Sequence, residues 1–511
     1  MRRALPLAAK AVAPLSAAAL LLTACTGQGA DGSGAGAAGG STKDKLVLGM
    51  TADITGWDPS AQPAYQAWGF EAAYDTLVSC NKDWSLAPAA AKSWEISADK
   101  KSFTAHLRSG MKFSDGTPVT AQTVKETFAP LAKTASDRYG GIKFDIPDAH
   151  TVTITWPDPQ PLMNSRVCNP KLASAKYLAS KDKNTAPVGS GPYTYDAKAS
   201  TAGSVYVLKK NPDFYDAKKY PYKTLELRVL SSATAALNAL KTGQIDGTVV
   251  TADTYNEAKQ SANVNVMAIE SGVTAMMLTD HEGKKIPALK DVRVRKAMNM
   301  VFDRDLIAKN LYKGLASPTY QFFNKKGAAY VKDAGDAYPY NVAQAKKLMK
   351  QAGYEKGFTL TLPTMEGQAW TVLLPYVTQQ LAELNITVKT KTLTGADAIS
   401  KLLSGDYPAP LWTVGASADS IQDISIGVIP AGYWNVSHQS DATVEKNWKT
   451  ILTGSDSESR TAQQAIGKYV LDNAWYVPLV NPQVFYAYSD SVKIPKSTDP
   501  NDAHPLLRDF Q

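Results

Sequence analysis

Cysteine and histidine are scarce in this chain. Three cysteines (Cys25, Cys80, Cys168) and five histidines (His106, His150, His281, His438, His504) are spread over 511 residues, with no CxxC or HxxH spacing. Zinc sites are written in such spacings, so neither a metal nor a cofactor is expected. A P-loop is missing, and no strand-to-helix turn carries GxGxxG, which leaves no phosphate cradle. Gly189-Ser190-Gly191 is not a nucleophile elbow: Ser190 directly follows Gly189, Pro192 follows Gly191, and no histidine stands in a motif that serves it as base. Hydrolytic chemistry therefore finds no support, and the chain is not read as an enzyme. Basic runs are short and both signs of charge are interspersed, which argues against a nucleic-acid partner. The formal charge of +8 falls to about +5 once Arg2, Arg3 and Lys10 are set aside with the leader described next.

The chain has no uninterrupted apolar run of membrane-spanning length. Residues 4–22 are apolar but broken by Pro6, Lys10 and Pro14, and they follow Arg2 and Arg3. This is the pattern of a secretion signal. It ends on Leu22-Thr23-Ala24-Cys25, a lipobox, with Cys25 placed to take a diacylglyceryl group; the alternative is a chance cysteine after an ordinary signal. Acyl chains would hold the protein at the membrane by burying their CH₂ groups in the bilayer. Residues 25–43 are rich in Gly, Ala and Ser and suit a flexible tether. The expected localisation is extracytoplasmic, anchored to the cell membrane as a lipoprotein. Disulfides persist in such a compartment. Cys80 and Cys168 are accordingly expected to pair, the alternative being two separate buried thiols.

Beyond residue 43 the chain reads as mixed α and β, long enough for two or three cores. Strands are expected at 46–50, 152–156, 358–362 and 386–389, and helices at 68–78, 236–242 and 294–301. Asn341 is expected to cap a helix ending at Gly353, and residues 369–384 a helix containing Pro375. Strand, helix and strand across 358–389 imply a parallel βαβ unit. Residues 86–128, LAPAAAKSWEISADKKSFTAHLRSGMKFSDGTPVTAQTVKETF, alternate apolar and polar through Phe103, Ala105 and Leu107. They then turn at Asp115-Gly116-Thr117-Pro118 and start a helix behind Thr120.

That block resembles the signature of the family 5 extracellular solute-binding proteins, the peptide, nickel and oligosaccharide receptors of ABC importers. Further blocks follow in the family's order: YDTLV at 74–78, VGSGPY at 188–193, LKKNPDFY at 208–215, ALNALKTGQIDG at 236–247, and LKDVRVRKAMN at 289–299 continuing through Asp303-Arg304. The resemblance runs from Leu46 to about Pro482. It implies an α/β, two-lobed periplasmic-binding-protein-like fold (type II, cluster C) with an extra subdomain on lobe one. Lobe one would comprise 44–75, 187–275 and 475–511, the appended subdomain 76–186, and lobe two 276–474. The implied role is capture of a small solute, an oligopeptide first, by closure of the lobes and delivery to ABC permease subunits. An oligosaccharide, a metal chelate, or a surface module without transport are the alternatives. A monomer is expected.

The resemblance also points to ligand residues. Peptide-binding relatives carry a segment of the form GWxADYxDP, whose Asp pairs with the ligand ammonium. Here VGASADSIQD at 414–423 puts Asp419 at that position, with Ala416 and Ser420 replacing the aromatics and the Pro missing. A loop or helix-capping Asp is the alternative. Trp370, Trp412, Tyr433 and Trp434 are candidate stacking faces and Asn435 a candidate amide, each weighed against simple core packing. Trp94, Trp475 and Tyr476 are read as packing residues, and the charged run 289–296 as a solvated helix face. The 86–128 block is expected to lie away from the ligand cleft.

Overall fold

Apolar residues on both faces of the first strand, Lys45–Met50, make it an interior strand. Five of its six residues are buried. Leu46, Leu48 and Met50 enter one core with Trp57, Phe70, Leu225 and Leu227, while Val47 enters another with Leu237, Leu240 and Phe485. Burial on both sides is typical of parallel pairing, and Thr224–Val229 and Gly247–Val250 flank the strand in parallel. These strands lie within a ten-stranded mixed sheet. The computed structural model describes residues 44–60, 67–81, 84–365, 369–394, 398–415, 420–495 and 505–511. Cys25, with the leader and tether, lies outside the described residues.

A 14-residue strand, Tyr476–Ser489, runs through both halves of the fold. Its later residues pair with Gly247–Val250 and Val264–Glu270, its earlier ones with Val273–Met277 and Ala316–Pro318. Val264–Glu270 and Val273–Met277 thus lie along one edge of it, separated by Ser271 and Gly272. Gly272 holds φ +147°, and a Cβ there would collide with the Val414 carbonyl, so only glycine fits. Asn481 Nδ2 donates to Gly272 O at 2.8 Å, and the Ser271 N–H donates to Pro482 O at 2.9 Å. The cores change at this crossing. Met267, Ile269, Phe485 and Tyr486 pack with the first half, and Val273, Met276, Val477 and Leu479 with the second. The sequence-based edges at 275/276 and 474/475 fall a few residues to the second-lobe side of it.

In the second lobe Thr359–Thr364 and Thr387–Thr392 pair in parallel around the helix Leu374–Ala382. Pro375 sits in the first turn of that helix and not in its interior, preceded by a 3₁₀ turn at Ala369–Leu373. A first-turn proline loses no helical hydrogen bond. The helix Val292–Met300 is capped by Asp291, which accepts from the Arg293 N–H at 2.8 Å.

The charged run is not a uniformly solvated face. Arg295 is 5% exposed and donates to Asn473 O (3.0 Å), Leu289 O (2.6 Å) and Lys290 O (3.1 Å). Arg304, 3% exposed, donates through Nε to Pro478 O at 2.8 Å. Between them, Asn299 Nδ2 donates to Tyr476 O at 3.0 Å. Burial lowers the Arg295 pKa to about 10, which still leaves it charged at neutral pH. Asn299 and Arg304 thus tie carbonyls at the start of the long strand to this part of the second lobe, and Arg295 ties the carbonyl of Asn473 just before it.

The 86–128 block builds a separate antiparallel sheet of Ala91–Ile96, Ser102–Leu107, Thr151–Thr155 and Lys143–Asp148. Phe103, Ala105, Leu107, Val152, Ile154 and Phe128 form its core. The Asp115 carboxylate accepts from the Thr117 N–H at 3.0 Å, Gly116 takes φ +85°, and the helix Ala121–Phe128 follows Thr120. Cys80 and Cys168 are joined in a disulfide with Cα atoms 5.7 Å apart.

One helix is shorter than the sequence pattern suggests. It covers Ala67–Ala73, and Val78–Cys80 is a strand. Gly189 and Gly191 press against the Ala72 and Ala73 backbone, and the Gly191 N–H takes the Ala73 carbonyl at 3.0 Å. A side chain on either glycine would clash there, which accounts for the VGSGPY wording.

Candidate ligand-binding site

β-branched and aromatic residues make Leu411–Val414 (LWTV) a strand. It pairs antiparallel with Val273–Met277, placing Ala275 opposite Trp412 and Thr274 opposite Thr413, whose hydroxyl oxygens are 2.7 Å apart. The candidate aromatics converge on it. Trp412 lies between Trp370 and Trp434, with ring centroids 5.5 Å away on each side at interplanar angles of 54° and 37°. Tyr433 extends the row, its ring 5.8 Å from Trp434. The row grades from core to solvent: Trp370 is 2% exposed, Trp434 8% and Tyr433 48%. The Trp370 Nε1–H is buried without a hydrogen-bond acceptor. Buried indole N–H groups normally find one, so this donor is unusual among the described residues.

Asn435 has a different job from the one expected. Its side chain is 2% exposed, and Nδ2 donates to Val428 O, Ile429 O and Gln439 O at 3.1, 3.1 and 2.9 Å. Its Oδ1 accepts from the Gln439 N–H at 3.0 Å. With the amide filled on both ends, Asn435 shapes the loop that carries Tyr433 and Trp434. Asp419 lies outside the described residues. The helix that follows, Ser420–Gly427, places Ser420 and Asp423 in the interior, each 1% exposed. Ser420 Oγ accepts from the Ala329 N–H at 2.9 Å. Tyr476 packs as expected, stacked on Phe322 at 3.8 Å and donating to Gly427 O at 2.8 Å; burial, then the Asp423 charge, pushes its phenol well up.

A cavity of about 230 Å³ adjoins this helix. Ile421, Gln422 and Ile451 line one wall, and Trp84, Ile96 and Asn164 the other. Lys100 Nζ reaches across to Gly454 O at 3.4 Å. Ile96 and Lys100 belong to the 86–128 block, so its hairpin faces the second lobe at this cavity, which shares no residue with the aromatic row. Neither residue carries a sequence signal for this, since the contact depends on packing between distant segments.

Aromatic faces and a graded exit to solvent suit binding by stacking. Among the described residues no three His, Cys, Asp or Glu side chains are grouped to hold a metal. Residues 85–426 match the model of bacterial extracellular solute-binding proteins, family 5 Middle. The chain belongs to that family. This family 5 protein is 30% identical over 286 residues to a putative ABC transporter peptide-binding protein of Brucella ovis, a match covering 52% of each chain. The alignment thus spans about half the length of that curated relative. It is 27% identical over 488 residues to the probable D,D-dipeptide-binding periplasmic protein DdpA of Escherichia coli K12, covering 88% of this chain and 91% of DdpA. Among solved structures, the ABC transporter substrate-binding protein CtaP of Listeria monocytogenes superposes with a TM-score of 0.76 at 23% identity, covering 92% and 99% of the two chains. The family 5 protein has the same α/β, two-lobed type II binding fold.

Proposed function

We propose that this protein captures an oligopeptide between its lobes and passes it to the permease of an ABC importer, while a lipid on Cys25 holds it at the membrane. The observation that carries the reading is the row Trp370–Trp412–Trp434–Tyr433 on the strand beside the lobe crossing. A ligand stacked there touches lobe two, and closure at Gly272 and Asn481 brings lobe one onto it. Contacts made to both lobes only in the closed state supply the differential affinity that closure requires. The peptide names of the Brucella and Escherichia relatives support the ligand class. Asp419 would receive the ammonium group by a charge-assisted hydrogen bond.

Mass spectrometry of ligand released from protein purified without refolding tests the ligand class. Peptides are expected; a sugar or a metal chelate with no peptide overturns the choice. Asp419→Ala is expected to weaken binding of an amine-bearing ligand at least tenfold, about 1.4 kcal/mol. Unchanged affinity removes Asp419 from the site. For the anchor, Cys25→Ser is expected to release the protein into the soluble fraction, and retention in the membrane fraction counts against lipidation.

A further inference from the structure

A second and larger cavity, about 800 Å³, opens between the helix Ala67–Ala73, the disulfide Cys80–Cys168 and the chain end at 506–509. None of its lining residues belongs to the aromatic row or to the interlobe cavity. Its walls carry Glu71, Asp75, Lys171, Tyr215, Tyr220 and Arg508.

Asp75 is 7% exposed. Its Oδ1 accepts from the Thr76 N–H at 2.8 Å and from the Tyr215 hydroxyl at 3.2 Å. Its Oδ2 is buried with no donor among the described residues. A buried carboxylate oxygen without a partner is costly and rare, and calls for an occupant. Lys171, on the same cavity, is half-buried, and its ammonium makes no hydrogen bond or ion pair among the described residues. The backbone keeps the two residues in register, since the Leu172 N–H donates to Asp75 O at 2.9 Å and Thr76 bridges Lys171. Arg508 is held to the wall by Ser79 Oγ at 2.9 Å and Cys80 O at 3.3 Å. One cavity thus presents an anion and a cation that feel each other's charge but share no hydrogen bond or ion pair.

We propose that this cavity is a second binding site, taking a small dipolar solute whose ammonium group meets the Asp75 carboxylate and whose carboxylate meets Lys171. A ligand with one charge would leave the other wall group unmet. A metal ion would need a cluster of ligands that is not grouped here. The volume lies within the roughly 300–1,000 Å³ usual for small-molecule sites. Burial raises the pKa of both Glu71 and Asp75 to about 7 despite the nearby cations, and an ammonium in direct contact would oppose that rise. The site is independent of the peptide reading above.

Isothermal titration calorimetry at pH 7.5 with glycine, 4-aminobutyrate and 6-aminohexanoate tests the proposal, with methylammonium and acetate as single-charge controls. At least one amino acid is expected to bind, and both controls at least tenfold more weakly. Asp75→Asn and Lys171→Met are each expected to weaken that binding at least tenfold, and Trp412→Ala to leave it unchanged. The proposal is overturned if no amino acid binds at millimolar concentration, if a folded Asp75 or Lys171 variant retains full affinity, or if Trp412→Ala abolishes binding, which would move the event to the interlobe site. Circular dichroism checks folding. Should Asp75→Asn not fold, the half-buried Lys171→Met alone decides.

Discussion

Arg304 donates its Nε–H to the carbonyl oxygen of Pro478 at 2.8 Å, from a position only 3% exposed. Proline cannot offer an N–H to a neighbouring strand, and its carbonyl in the long strand is met by a side chain from the second lobe. Nη1 and Nη2 of the same guanidinium reach Asn299 O, Phe302 O and Asn299 Oδ1, at 3.3, 3.3 and 3.2 Å. Arg304→Leu is expected to cost about 3 kcal/mol, because several buried acceptors lose a charged donor at once. Arg304→Lys should not rescue it, since an ammonium lacks the planar fork. Urea denaturation measures both. Wild-type stability in either variant would show that these carbonyls are satisfied another way.

Trp412 and Asn435 separate binding from scaffolding. Trp412 is half-buried between two rings, so Trp412→Ala should lower affinity for a bound peptide about tenfold. Asn435→Ala removes an amide that holds four backbone groups. It should destabilise the fold by about 2 kcal/mol, through buried groups left without partners. Thermal unfolding alongside calorimetry reads both effects. A stable Asn435→Ala protein with lost affinity would return Asn435 to the ligand.

The disulfide closes a sequence separation of 88 residues. Replacing both Cys80 and Cys168 by Ser should cost about 2–4 kcal/mol, largely by freeing the unfolded chain. Denaturation of wild type with and without a reductant should reproduce the difference. Equal midpoints in all three would mean that the cross-link contributes nothing to stability.

Glu71 and Asp75 set a pH dependence with a definite sign. Burial raises both to about 7, against Lys171 and, for Asp75, Arg108, and for Glu71, Arg508. Around them stand Asp509 and the hydroxyls of Tyr215 and Tyr220, both raised by burial. Between the ordinary carboxyl range near 4 and pH 7 the folded state binds more protons than the unfolded state. Stability from these two groups is therefore full below pH 4 and lost as pH rises through 7. Lys171, lowered by burial, contributes with the opposite sign where it titrates, and Lys171→Met removes that contribution. The urea midpoint should fall between pH 5 and 8, and Asp75→Asn should flatten that slope. A slope of opposite sign in wild type would refute the assignment.

Much of the fold was legible because its signals are local. The apolar run at 46–50 and the alternation at 103–107 point to strands, and Asn341 to a helix start, since capping needs only neighbouring backbone. The helix at 67–73 was read too long because what stops it, the glycine segment 189–191, is far along the chain. The burial of Arg295 is hidden from the letters for the same reason: its guanidinium is buried on a carbonyl at 473, far along the chain. At the site, aromatic residue types were enough to gather Trp370, Trp412, Tyr433 and Trp434. Nothing in the letters around Asn435 says that its amide is already taken. The pair Asp75 and Lys171 left no trace at all, because 96 positions separate them.

Gly272 touches the carbonyl of Val414, two residues from Trp412 on the same strand. The glycine of the lobe crossing and the strand that carries the aromatic row are in atomic contact. A bulky or badly seated ligand that displaced Trp412 would push directly on the axis about which the lobes turn. Fit at the ligand is then sensed as freedom or resistance to rotation. A binding protein built this way would tell a well-seated ligand from a badly seated one, not only an occupied cleft from an empty one.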